Sequence, residues 1–340
     1  MAEHQLLGII KQEKERLFWR KLKYTMGMKS GGSVQAVQVE DTEGNIEVFN
    51  TQADIHEAIW SNIHRKRFYL AEEAPICNSP LREAFGYNAD TEAGEEVLSG
   101  TYEFERGFDD ATRRICQEVA AIRAVVPVDS NKDIVRKEDW SNYWSKAREE
   151  TSSSESGLHF SNYKAGAESK VISHFQAMKA SVMLKAGWGY TRWGRGMSVM
   201  LEKIPGCQRI DKLRSILLME ADFNCVNKIV FGSQMLANVR QHGLMPDEIF
   251  SERNRTAGEG TLSKVLFYDV VRQTRLSAGI SSVNADNCYD RVAHAIASLV
   301  FRSVGCPLEA TGAMLRTIQD MDAMTGGFND NVKSLIEHLI

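Results

Sequence analysis

The chain has 340 residues, 43% of them hydrophobic, with 45 Asp or Glu against 41 Lys or Arg and a formal net charge of −4. That length and apolar content are enough for a buried core spread over two or three domains, while the slight acidity confines any nucleic-acid surface to a local patch. The opening residues Met1-Ala2-Glu3-His4-Gln5 lack the apolar core of a signal peptide, and no apolar run reaches the ~18 residues of a membrane helix. The expectation is an intracellular protein, nuclear or cytoplasmic, with no membrane partner. The six cysteines, at 77, 116, 207, 225, 288 and 306, form no Cys-x-x-Cys pair and read as reduced, mostly buried residues.

In chain order, residues 1–29 read as a basic amphipathic helix, with Leu6, Ile10, Leu17 and Leu22 near one stripe. Its cations include Lys11, Lys14, Arg20, Lys21 and Lys23, which suit either a phosphate backbone or a solvated face packed on the next module. Ser30-Gly31-Gly32-Ser33 ends that helix. Alternation in Val37-Gln38-Val39 and Ile46-Glu47-Val48-Phe49, across Asp41-Thr42-Glu43-Gly44-Asn45, predicts a β-hairpin. Thr51 with Asp54 resembles a capping box for a helix carrying Ile55, Ile59 and Ile63. Helices are expected near 109–125, where Ile115, Val119 and Ile122 repeat, and near 137–150, where Trp140 and Trp144 lie one turn apart, as core or as a base-stacking platform. Residues 30–135 as a whole read as a helical lead-in module without chemistry.

Farther on, Gly187–Gly196 is turn-rich and lacks the preceding strand of a phosphate loop. Lys203 and Arg214 bracket a turn at Pro205-Gly206-Cys207. Val283 to Val292 then takes a short β-branched run into acidic residues and a helix from Arg291 to Val304, followed by the turn Gly305-Cys306-Pro307 and a helix from about Glu309 to Met321. Beyond Asp322 no strand is expected, and Val332–Ile340 reads as a short amphipathic helix. The eight histidines show no His-Glu-x-x-His arrangement.

Val283-Asn284-Ala285-Asp286-Asn287-Cys288-Tyr289-Asp290-Arg291-Val292 resembles the first palm motif of the reverse transcriptases of non-LTR retroelements, whose pattern is an Asp, four residues, an aromatic, then Asp. Upstream blocks follow in the family's order. Thr151 to Phe160 with Tyr163-Lys164 is similar to its opening loop; Trp193 to Lys203 and Arg214 to Leu218 are similar to its fingers segment; Ile249 to Thr256, with Arg253 and Arg255, and an expected helix from Thr261 to Arg275 stand where a loop and helix sit over the template. The resemblance implies an α+β, helix-rich chain: a helical N-terminal module, fingers over about 136–279 and an incomplete palm over 280–340. It implies an RNA template, a DNA primer and Mg2+ or Mn2+, with Lys203 and Arg214 binding the triphosphate, unless they are ordinary surface charges.

By the same resemblance, Tyr289 is the aromatic that screens the incoming sugar, and five residues before it stands Asn284, where the family has its metal-binding Asp. Asp290 closes the motif. Asp286 would share a strand face with Asn284 at roughly 6.5 Å, so it is at best a misplaced substitute. Nucleotidyl transfer needs carboxylates around two ions about 4 Å apart, and Asn supplies one neutral carbonyl oxygen instead. Such a loss costs about 10³-fold in rate, roughly 4 kcal/mol. Phe328-Asn329-Asp330-Asn331 only echoes the family's later aromatic-x-Asp-Asp signature, so no metal set is intact. The expectation is a truncated, catalytically inactive relative; a non-catalytic RNA- or DNA-binding protein of retroelement descent is the competing reading.

Overall fold

The computed structural model describes residues 36–64, 80–104, 108–127, 135–149, 156–204, 206–246, 249, 255–279, 281 and 292–325. The expected basic helix over 1–29, the strand carrying Asn284 and the helix over 332–340 lie outside the described residues. The chain is α+β and helix-rich, with small sheets. It divides into two compact units, one gathering residues 36–64 with 198–217 and the other holding nearly all the remaining described chain.

In the first unit, β1 (Val37–Glu40) and β2 (Ile46–Phe49) pair antiparallel with Val37 opposite Phe49 and Glu40 opposite Ile46. Asp41 organises the turn: its carboxylate accepts from the amides of Glu43 and Asn45 at 2.8 Å and from the Asn45 side chain at 2.9 Å, and Gly44 supplies the positive φ of 88°. Those bonds, the Asn45 side chain first, hold the Asp41 carboxyl below its usual pKa. Helix α1 (Gln52–Ile59) starts at Thr51, whose hydroxyl accepts from the Asp54 amide, and runs into a π turn at Trp60–His64. Ile55 and Ile59 bury one face of α1 against Val37 and Leu213. That core joins the hairpin to a segment more than a hundred residues away, and β1 also meets it through the Gln38 amide, which donates to the Gln208 carbonyl at 2.9 Å. Strands β3 (Arg195–Glu202) and β4 (Leu213–Leu218) are sheet neighbours.

The second unit is helical: α2 (Leu81–Phe85), α3 (Glu92–Ser99), α4 (Asp110–Val125), α5 (Lys137–Lys146), α6 (Phe160–Ala167), α7 (Lys170–Ala186), α8 (Ala221–Ile229), α9 (Met235–Gln241), α10 (Ala257–Thr274), α11 (His294–Ser303) and α12 (Leu308–Gln319). A π turn at Val230–Gln234 joins α8 to α9. One core holds Trp140, Trp144, Leu184, Trp193 and Phe223; another, around Phe85, Val97 and Phe108, takes Leu299 from α11. Both α5 tryptophans are therefore core, their rings 5.8 Å apart, with Tyr163 stacked on Trp144 at 4.7 Å.

Several boundaries differ from expectation. α4 buries Thr112, Cys116 and Val119 while Ile115 is exposed, so the inward stripe shares only Val119 with the apolar repeat. α5 stops at Lys146 because Ala147 turns extended. α10 begins at Ala257, four residues before Thr261, after the cap Thr256, whose hydroxyl accepts from the Glu259 amide. α11 begins at His294 instead of Arg291. A strand, β5 (Asp322–Thr325), lies where none was expected and pairs beside β3. A four-residue run carries too little alternation to announce itself; its partner supplies the hydrogen bonds that make it a strand.

The described cysteines 116, 207, 225 and 306 are free thiols. Burial pushes Cys116 up to about 11 and Cys306 up to about 12. No helix among the described residues is long and apolar enough to cross a membrane.

Candidate functional site

In the first unit, β3 ends at Glu202, and Lys203 follows with its amide donating to the Lys212 carbonyl at 2.8 Å. Arg214 is the second residue of β4. Five cations thus stand on this pair of strands and their connection: Arg195 opens β3, and the four from Lys203 onward differ in their partners. Arg209 meets Glu40 at 2.7 Å and Asp211 at 3.0 Å, while Lys212 meets Asp211 at 2.8 Å. Lys203 and Arg214 are exposed and have no carboxylate partner among the described residues; Lys203 Nζ reaches only the Asp211 carbonyl, at 3.4 Å. An ammonium and a guanidinium left without counterions suit an oxyanion such as a phosphate.

In the second unit, residues that the sequence did not single out form a buried charge cluster. The Arg192 guanidinium donates from Nη1 to Glu220 at 2.7 Å and to Asp222 at 2.8 Å, and from Nη2 to the other Asp222 oxygen. Both carboxylates are buried, with Asp222 also accepting from the Trp193 indole at 2.9 Å and Glu220 from the Ser156 hydroxyl at 3.0 Å. Burial pulls the Arg192 pKa down, but its hydrogen bonds and charge pairing with Asp222 outweigh this and raise it above its usual range. Burial, with the Asp222 charge, raises Tyr163 as well, so its phenol stays protonated. A cleft of about 320 Å³ opens beside the cluster, lined by Ser156, Thr191, Arg192, Arg195 and Glu220. Because every buried charge is already paired, the cluster is built to position: it ties the loop end at Ser156 to the approach to β3 and the entry to α8. Its hydrogen-bonded partners lie 28 to 64 residues apart, and only Glu220 and Asp222, two apart at the entry to an apolar helix, carried a local signal.

Asn284, Asp286, Tyr289 and Asp290 lie outside the described residues, as do Lys11, Lys14, Arg20, Lys21, Lys23 and Arg253. Arg255 is exposed, 3.9 Å from Glu259. No group of three or more metal-ligating side chains occurs among the described residues. No family model matches the chain, and no curated protein matches it.

Proposed function

We propose that this chain descends from the RNA-directed DNA polymerase of a non-LTR-type retroelement and, with Asn at 284, does not itself catalyse nucleotidyl transfer. The observation that carries the reading is the pair Lys203 and Arg214: at the two positions where the resemblance implies triphosphate contacts, these cations lack, among the described residues, the carboxylate partners that Arg209 and Lys212 have. The order of the blocks from Thr151 to Val292 supports it further. RNA template and DNA primer are the implied partners. A pair of Mg2+ or Mn2+ ions, which activates the primer hydroxyl and grips the triphosphate when bound, does not fit the donor set, because Asn284 brings a neutral carbonyl oxygen where a carboxylate is needed.

The test uses the full chain in two assays. Deoxynucleoside triphosphate affinity should fall about ten-fold or more in the Lys203→Ala, Arg214→Ala double variant, since each removes a charge-assisted contact. Primer extension on RNA or DNA with Mg2+ or Mn2+ should be absent. Affinity indifferent to both substitutions overturns the assignment of the two cations; extension by the unaltered chain, abolished by Asp286→Asn, overturns the inactivity.

A further inference from the structure

A second cleft, of about 480 Å³, lies in the helical unit between α5, the start of α6 and the π turn after α8. It shares no residue with the cations of the strand pair or with the buried charge cluster. Its apolar lining is Tyr143, Ala147, Phe160 and Ile229. Burial pushes the Tyr143 phenol up to about 12, so this ring is neutral over the whole physiological range.

Three exposed cations, Lys146, Arg148 and Lys228, line the same cleft. None has an ion-pair partner among the described residues; Asp139, which lines the cleft as well, is held by Arg136 at 2.9 Å, and the nearby Glu149 by Lys164 at 3.1 Å. The π turn contributes as well. Its extra residue carries Ser233 onto the cleft, with the hydroxyl donating to the Lys228 carbonyl at 3.1 Å, a departure from α geometry of the kind that recurs at binding sites. The volume falls within the roughly 300–1,000 Å³ of small-ligand pockets.

Aromatic walls beneath three uncompensated cations select a ligand that is flat and apolar at one end and multiply anionic at the other. We propose that this cleft binds a nucleotide unit, its base against Tyr143 and Phe160 and its phosphate among Lys146, Arg148 and Lys228. The argument stands independently of the polymerase reading. The unit comes from one of two sources, a free mononucleotide or a residue of a single strand, which share this chemistry.

Calorimetric titration of the full chain with AMP, adenosine, inorganic phosphate and a ten-residue single-stranded oligonucleotide tests it. AMP or the oligonucleotide should bind about ten-fold or more tightly than adenosine or phosphate alone, and Lys146→Ala with Lys228→Ala should weaken that binding about ten-fold or more. Both side chains are exposed, so thermal unfolding should be unchanged in the variant. AMP binding identifies a free mononucleotide as the source; oligonucleotide binding without AMP binding identifies a single strand. Lys203→Ala with Arg214→Ala should leave either result intact, which separates this site from the proposed triphosphate contacts. Phosphate binding as tightly as both nucleotide ligands, or affinity indifferent to the Lys146 and Lys228 changes, overturns the proposal.

Discussion

Arg192 stands between two carboxylates that the fold has removed from water, and its own side chain is only about one-third exposed, 31%. Replacing it with Ala leaves Glu220 and Asp222 buried without a counterion, which should cost about 3–5 kcal/mol in chemical denaturation. Arg192→Lys should recover part of that, because an ammonium restores the charge but not the fork that meets Asp222 twice. Gly94 shows a different dependence on surroundings. In an open helix Gly→Ala stabilises, but a Cβ here would strike the Ala89 carbonyl oxygen, which already accepts from Arg302 at 2.6 Å. Gly94→Ala should therefore destabilise by about 1–3 kcal/mol, measured by urea unfolding, with the sign opposite to helix propensity.

At the scale of elements, α5 and α10 form a contrast. α5 is short and polar in composition, yet it anchors the larger core through Trp140 and Trp144; Trp144→Ala should cost about 3–5 kcal/mol. α10 is longer and richer in apolar residues, but Leu262, Val265, Leu266 and Tyr268 are all about half exposed among the described residues. Val265→Lys with Leu266→Lys should change stability by less than about 0.5 kcal/mol per site, with equilibrium unfolding as the measurement. A fall of several kcal/mol would mean that this face is covered in the folded chain. Hydrophobic spacing announced α5, whereas the 261–275 helix was expected from the resemblance, which did not indicate that its apolar face would be exposed.

The whole molecule should respond to acid through its half-buried histidines. Burial lowers the pKa of His294, whose ring meets Gln319 at 3.0 Å, and also that of His56, where burial outweighs the opposing charge of Glu57. A histidine with a folded pKa below its unfolded value binds fewer protons when folded, so its contribution is fully present above about pH 6.5 and is lost as pH falls through the lowered folded pKa. Thermal unfolding should thus lose stability below pH 6.5, and His294→Gln should flatten part of that slope. Local chemistry was legible in the sequence wherever a few neighbouring residues decide it: the β1–β2 hairpin from alternation around Gly44, the α1 start from Thr51 and Asp54, and the helical stretches from their apolar period. Lys203 and Arg214 could be named from the resemblance, but their lack of carboxylate partners among the described residues appears only once Glu40 and Asp211 are seen to hold Arg209 and Lys212. Likewise, β5 needs a neighbouring strand, the buried cluster needs residues 28 to 64 positions apart, and the first unit's core needs Leu213 against Val37. Hydrogen-bond spacing and side-chain period act along the chain and leave a local trace; burial and charge pairing depend on segments brought together across it, so only the tertiary structure decides them.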